Sequence, residues 1–311
     1  MQSFGWRISL VLLAMLVAPN GTTAQDRGTL NPEPLPPLAK PDDPATPAKE
    51  LFGRKAAPAP VQSRTIGFYS KGCLAGAKAL PINGKTWQVM RLSRNRNWGH
   101  PELVQFLERL ANQAPKTGWR GLLVGDMSQP RGGPMRTGHA SHQVGLDADI
   151  WLTPMPNREL TRPEREEMSA TMVVAEDRKD VDPHVWTSAH VAVIKAAAKD
   201  PKVSRIFVNP AIKRALCRDA GSSDRAWLSK VRPWWGHDYH FHVRIHCPSD
   251  SPDCKDQEPA PASEECSGAD LDHWFTDAIL HPRPAPIQPK EKPPLRMADL
   301  PAACRQVLLA P

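Results

Sequence analysis

Apolar and polar positions alternate with a period of two in two stretches about a hundred residues apart. In Gly145-Leu-Asp-Ala-Asp-Ile-Trp151 the apolar Leu146, Ala148 and Ile150 alternate with Gly145, Asp147 and Asp149. This pattern predicts a strand over residues 145–152 with one apolar and one acidic face. In residues 238–246, Tyr239, Phe241 and Val243 alternate with His240, His242 and Arg244, so a second strand carries two imidazoles on one face. Gly121-Leu-Leu-Val-Gly125 and Arg205-Ile-Phe-Val208 read as further short strands. Helical spacing of apolar residues, with Pro101 at the first position, predicts a helix over 101–110. Others are predicted over 162–174, 188–199, 211–217 and 224–230. Helices and short strands interleave with no internal repeat and no glycine-rich phosphate loop. The expected architecture is one α+β domain, a small antiparallel sheet carrying the polar faces and flanked by helices.

The ends of the 311-residue chain read differently. Arg7 precedes an apolar run, Ile8-Ser-Leu-Val-Leu-Leu-Ala-Met-Leu-Val17, followed by small and turn residues to Ala24. That is the pattern of a secretory signal peptide over 1–24, and the run is too short for a membrane anchor of roughly 20 residues. Residues 25–64 are rich in proline, alanine and mixed charges and are expected to be a disordered tether. The ordered domain is expected over 65–280, and a Pro-rich extension over 281–311. A net charge of +7 comes from scattered Lys and Arg rather than runs, which gives no nucleic-acid patch. Six cysteines follow the signal and form no Cys-x-x-Cys pair. In an exported chain they predict three disulfides that brace the domain, in a connectivity the spacing leaves open.

The candidate chemistry lies in the two polar strands and the residues just before them. His139, His142, Asp147 and Asp149 occupy one window, His237, His240 and His242 the other. Taken singly, a histidine is more often structural than a ligand, but nothing comparable to this grouping occurs elsewhere in the chain. His142, Asp149 and His242 offer the nitrogen and oxygen donors that suit Zn²⁺, and three protein ligands leave a fourth position for water. Asp147 shares a face with Asp149 and either orients a histidine ligand from behind or makes an ordinary strand ion pair. His246, beside Cys247, reads as structural. Trp234 and Trp235 read either as cleft lining or as packing, and His100, His184, His190, His273 and His281 carry no pattern.

Longer strings carry a resemblance. Ser141-His-Gln-Val-Gly-Leu-Asp-Ala-Asp149, Arg205-Ile-Phe-Val-Asn-Pro-Ala-Ile-Lys213 and Val231-Arg-Pro-Trp-Trp-Gly-His-Asp-Tyr-His-Phe-His-Val-Arg244 are similar to the penicillin-insensitive murein endopeptidases. Within the wider group of lysostaphin-type and D-Ala-D-Ala peptidases, the likeness covers roughly residues 65 to 304. It implies a periplasmic zinc enzyme that hydrolyses the D-alanyl–meso-diaminopimelyl cross-link of peptidoglycan. It assigns the zinc to His142, Asp149 and His242, the general base to His240, and a place beside the scissile carbonyl to His237. A zinc-activated water would attack, His240 would take its proton, and a protonated His237 would help hold the oxyanion. With no serine to acylate, β-lactams find no target. The resemblance further implies the pairs Cys73–Cys304, Cys217–Cys266 and Cys247–Cys254. It also places a second metal on His139, Asp177 and Asp180, with an aspartate where the family has a histidine. Asp177 and Asp180 read equally well as a solvated loop, Glu176-Asp-Arg-Lys-Asp180. The expected cofactor is one Zn²⁺ per chain, and the expected partner is peptidoglycan, with no nucleic acid and no stable membrane insertion. A D,D-carboxypeptidase or dipeptidase, or a zinc-bearing protein that binds the wall without cutting it, shares the same metal pattern.

Overall fold

A hairpin of β1 (Arg64–Phe68) and β2 (Lys71–Ala75) opens the strand order in the computed structural model, which describes residues 27–282 and 292–311. The predicted signal peptide lies outside the described residues. Beyond the hairpin, seven strands form one sheet. They are β3 (Asn83–Gly84), β4 (Trp87–Val89), β5 (Leu122–Val124), β6 (Asp147–Trp151), β7 (Val203–Val208), β8 (Val231–Pro233) and β9 (His240–Ile245), in the spatial order β8-β7-β9-β6-β5-β4-β3. The α+β expectation holds, and β9 runs antiparallel to both β6 and β7. The sheet is larger than the expected one and mixed: β8 runs parallel to β7, and β4 parallel to β5. Each parallel pair is closed by a helix, because parallel neighbours need a crossover connection. Three-residue strands such as β4 and β8 are too short for alternation to show in the sequence.

The helices follow from local chemistry. In α2 (Pro101–Gln113) Pro101 occupies the first turn, and the His100 ring accepts a hydrogen bond from the Glu102 N–H at 3.3 Å. Its Leu103, Phe106, Leu107 and Leu110 are buried. They join Ala148, Ile150, Ile206, Phe241 and Val243 of the sheet, and Val193 and Ile194 of α4 (Ser188–Lys199), in one core. One face of the central strands is thus covered by helices, and the opposite, polar face is free to carry chemistry. The helix predicted over 162–174 stops early: α3 is Arg162–Glu167. The chain beyond it is claimed by tertiary partners, since Thr171 N–H donates to Thr153 Oγ1 at 2.6 Å and Val173 N–H to Asp238 O at 3.0 Å. The segment predicted helical over 211–217 is α5 (Pro210–Asp219).

The expected tether over 25–64 is a correction. Residues Ala48–Phe52 form a short helix, α1, with Ala48 and Phe52 fully buried. They pack with Ile66, Cys73, Cys304, Val307 and Leu308 in a second core, where the C-terminal helix α6 (Ala303–Leu309) supplies the apolar partner. Packing therefore begins near residue 48, because Phe52 finds its burial against the far end of the chain. Three disulfides, Cys73–Cys304, Cys217–Cys266 and Cys247–Cys254, brace the fold. Arg131 adds a clamp: its guanidinium donates to the carbonyls of Val307 and Leu308 at 3.0 Å, Ala310 at 2.6 Å and Pro311 at 3.0 Å. It thereby satisfies carbonyls at the end of α6 that have no partner within the helix. Among the described residues, no helix is long and apolar enough to cross a membrane.

Phe52→Ala should cost about 3–5 kcal/mol of stability through the cavity it leaves, read as a lower midpoint in chemical denaturation. An unchanged midpoint would return the segment to the status of a tether.

Candidate metal centre

Strand register sets the centre of the site. Asp149 on β6 lies directly opposite His242 on β9, and Asp147 opposite Arg244. Directly paired residues have Cβ atoms about 4.5–5.5 Å apart, so carboxylate and imidazole meet without any loop having to deliver them. His242 Nδ1 lies 3.2 Å from Asp149 Oδ1, while its Nε2 donates to Asp147 Oδ1 at 3.0 Å. Arg244 holds Asp147 in turn, through Nε at 2.7 Å and Nη2 at 3.3 Å. Its guanidinium lies over the Tyr69 ring, 4.0 Å from the centroid.

His142 arrives from the loop before β6. Its backbone is left-handed (φ 65°), a conformation rare for a non-glycine residue. The turn is held by its N–H donating to Asp147 Oδ2 at 3.0 Å. Gly145 then turns the chain into the strand at φ 72°, where a Cβ would meet Leu74 Cδ2 at 2.4 Å. The His142 Nδ1–H donates to Met127 O at 2.9 Å, which leaves the Nε2 lone pair 3.5 Å from Asp149 Oδ1. His240 Nε2 lies 3.6 Å from the same oxygen. His139 Nδ1 lies 3.6 Å from Asp149 Oδ2, and its Nε2 bonds Asp126 Oδ2 at 3.0 Å. His237, also left-handed at φ 58°, donates Nδ1–H to Trp235 O at 3.1 Å, and its ring lies 4.9 Å from that of His240.

The electrostatics follow the geometry. Burial alone would raise the pKa of Asp149, but His240, His142 and His139 outweigh it and hold the carboxylate well below its usual range. Burial also opposes Asp147, which Arg244 and His242 nevertheless keep ionised. Burial pushes His240 down to about 4, against the pull of Asp149, and His237 down to about 3, with His240 and His242 adding to the effect. His242 goes the other way, because Asp147 and Asp149 overcome its burial. These surroundings of His237 oppose the protonated ring expected from the sequence.

These residues fit a cation. His142 Nε2 and Asp149 Oδ1, 3.5 Å apart, are both buried with no hydrogen-bond partner. Each such orphan costs about 1–3 kcal/mol, and a lone pair facing a carboxylate oxygen is stabilised only by positive charge between them. Among the described residues, His139, His142 and Asp149 form the group of three potential ligands whose donor atoms all lie within 4.8 Å of one another; His242, expected as the third ligand, meets Asp149 at 3.2 Å but is not in that group. The suggested second site is not assembled. Asp180 pairs with Arg218 at 2.6 Å and accepts from Val181 N–H at 2.7 Å. Asp177 accepts from Lys179 N–H at 3.0 Å. Both belong to a loop tied to itself and to α5, and His139 turns to Asp126 and Asp149 instead.

Asp126 escaped the sequence reading. It is a buried carboxylate just past β5, held by Arg94 at 3.0 Å and Arg96 at 2.8 Å. Only an acidic residue directly after a buried strand could have hinted at it. Trp234 is exposed (59%), Trp235 lies beneath Arg178 at 4.7 Å, and His246 pairs with Asp256 at the surface.

The profile of one family, the penicillin-insensitive murein endopeptidases, matches residues 65–309. A protein of that name from Haemophilus influenzae is 47% identical over 246 residues, which cover 79% of this chain and 82% of the relative. One from Klebsiella pneumoniae is 46% identical, covering 79% and 86%. One from Salmonella heidelberg is 45% identical over 255 residues, covering 81% and 88%. The chain belongs to the penicillin-insensitive murein endopeptidase family. The family match runs from β1 into α6, and so takes in all six cysteines and every histidine of the cluster.

Asp147→Asn should weaken metal binding about 10–100-fold by releasing the orientation of His242, measured by competition with a chromophoric chelator. Because His242 is raised above its ordinary value of 6.5, protons compete for Nδ1 and metal affinity should fall as pH drops through that raised pKa. Calorimetry in buffers of different ionisation enthalpy should then find about one proton released per cation bound.

Proposed function

We propose that this protein is a zinc-dependent endopeptidase of the periplasm that hydrolyses the D-alanyl–meso-diaminopimelyl cross-link of peptidoglycan, with His142, Asp149 and His242 holding the metal. The observation that carries the reading is the approach of two imidazole nitrogens to one Asp149 oxygen, at 3.5 and 3.2 Å. Ligands about 2.0–2.1 Å from a tetrahedral zinc lie roughly 3.3–3.4 Å apart. The names of the relatives support the substrate, and three disulfides suit an oxidising compartment.

Bound there, zinc supplies Lewis acidity and a nucleophilic water at neutral pH. The chain's own residues do the rest. His240, kept neutral by burial and adjacent to the Asp149 carboxylate, accepts a proton in the attack and returns one to the leaving nitrogen. His237, anchored through Nδ1 on Trp235 O with its ring 4.9 Å from that of His240, positions the substrate amide. Asp147 and Arg244 fix the ring of His242. No serine acts as nucleophile, which accounts for insensitivity to β-lactams. A carboxypeptidase acting on terminal D-Ala-D-Ala would use the same ligands, whereas a wall-binding protein would need no neutral base beside the metal.

Digestion of purified cross-linked muropeptide dimers should yield monomers; release of free D-Ala alone would favour the carboxypeptidase. His240→Ala should retain zinc and lose roughly 10²–10⁴ in rate, and His242→Ala should lose both zinc and activity. Equal turnover by His240→Ala and wild type would remove His240 as the base.

A further inference from the structure

Three arginines stand within six residues of one another, and all three reach the same cleft as the metal cluster. The stretch between β4 and α2 folds back tightly, with Arg91 and Asn95 both left-handed (φ 56° and 51°) around the 3₁₀ turn Leu92–Arg94. The cleft encloses about 140 Å³. Asp149, His139 and His240 line it together with Arg91, Arg94 and Arg96.

Each guanidinium is positioned before any ligand arrives. Arg96 Nη1 bonds Asp126 Oδ2 at 2.8 Å, and its Nη2 donates to Thr137 O and Oγ1 at 3.0 and 3.1 Å. Arg94 Nη1 shares that Asp126 oxygen at 3.0 Å. Arg91 donates to Arg165 O and Met168 O at 2.8 and 2.9 Å and lies over Trp151, 4.9 Å from the ring centroid. Arg94 is the more accessible of the two that hold Asp126, with 18% of its side chain exposed against 10% for Arg96. The cleft lining therefore carries three guanidiniums against one carboxylate, Asp126, besides the Asp149 assigned to the metal. Such a wall favours an anion, and fixed guanidiniums favour a planar carboxylate in particular.

We infer that Arg94, steadied by Arg96 through Asp126, forms the subsite for the free α-carboxylate of the leaving residue. The inference rests on the endopeptidase reading above and deepens it. In the proposed cross-link, the scissile nitrogen sits on a carbon that also bears a free carboxylate. An internal bond of an ordinary peptide has an amide at that place. A guanidinium wall beside the metal cluster thus selects bonds by the charge next to the leaving nitrogen. Terminal D-Ala-D-Ala presents the same chemistry, so the test must separate the two sources.

The test compares the zinc-loaded full chain on muropeptide dimers with that carboxylate free and with it amidated. Wild type should lose about 10- to 100-fold in kcat/KM on amidation, the worth of a charge-assisted hydrogen bond. Arg94→Gln should lose a similar factor on the free dimer and become indifferent to amidation, while Arg94→Lys should keep part of the preference. Zinc content and unfolding midpoint of both variants should match wild type. Calorimetry on metal-free protein supplies a readout without turnover: a peptide carrying the free carboxylate should bind at least about tenfold more tightly than its amide, and Arg94→Gln should abolish the difference. Equal cleavage of both dimers by wild type, or a preference that survives in Arg94→Gln, overturns the subsite alone. Dependence on Arg94 seen only for D-Ala release from a pentapeptide monomer overturns its assignment to the cross-link. Cleavage of neither dimer overturns the endopeptidase reading, and the subsite with it.

Discussion

The pairing of Asp149 with His242 across two antiparallel strands is the constraint on which the rest of the structure depends. A shift of register by one residue would turn both side chains into the core and bring Ala148 and Val243 out to the cleft. The apolar face prevents that slip, since Ala148, Ile150, Phe241 and Val243 are buried against helices α2 and α4. Core packing and metal geometry are thus two sides of the same alternation.

Around this pair the structure arranges charge in layers. Arg244 keeps Asp147 ionised, Asp147 turns His242, and His242 offers its other nitrogen toward Asp149. On the other side Asp126 gathers Arg94, Arg96 and His139. Buried carboxylates are costly unless paired, and each of these two has cationic partners within hydrogen-bonding distance. Asp149 differs. Its Oδ1 is buried and faces imidazoles of His142, His240 and His242 at 3.2–3.6 Å, a setting in which positive charge is needed between them.

The periphery serves the centre through the loop that leads into β6. Arg131 in that loop clamps the end of α6, and a Cβ on Gly133 would lie 2.3 Å from the Phe52 ring. The two ends of the described chain therefore brace the segment that delivers His139 and His142. With Cys73–Cys304 closing over the same region, the C-terminal residues are part of the scaffold for the site and not an appendage.

Alternation in residues 145–151 and 238–246 was enough to read both polar strands, their shared faces and the donor set, because side-chain direction in a strand follows from position alone. Helix α2 was equally legible from Pro101 and the spacing of its leucines. What the sequence could not determine depends on partners distant along the chain. These are the burial of Phe52 by α6, the early end of α3 where Val173 pairs with Asp238, and the recruitment of Asp126 by two arginines. The electrostatics of His237 belong to the same class: a motif names an imidazole, but only the surrounding fold half-buries it beside His240 and His242 and so disfavours its charged form. Residue types and their period determined what chemistry was available, and tertiary packing decided which atoms face one another in the cluster, because burial and register are properties of the assembled chain.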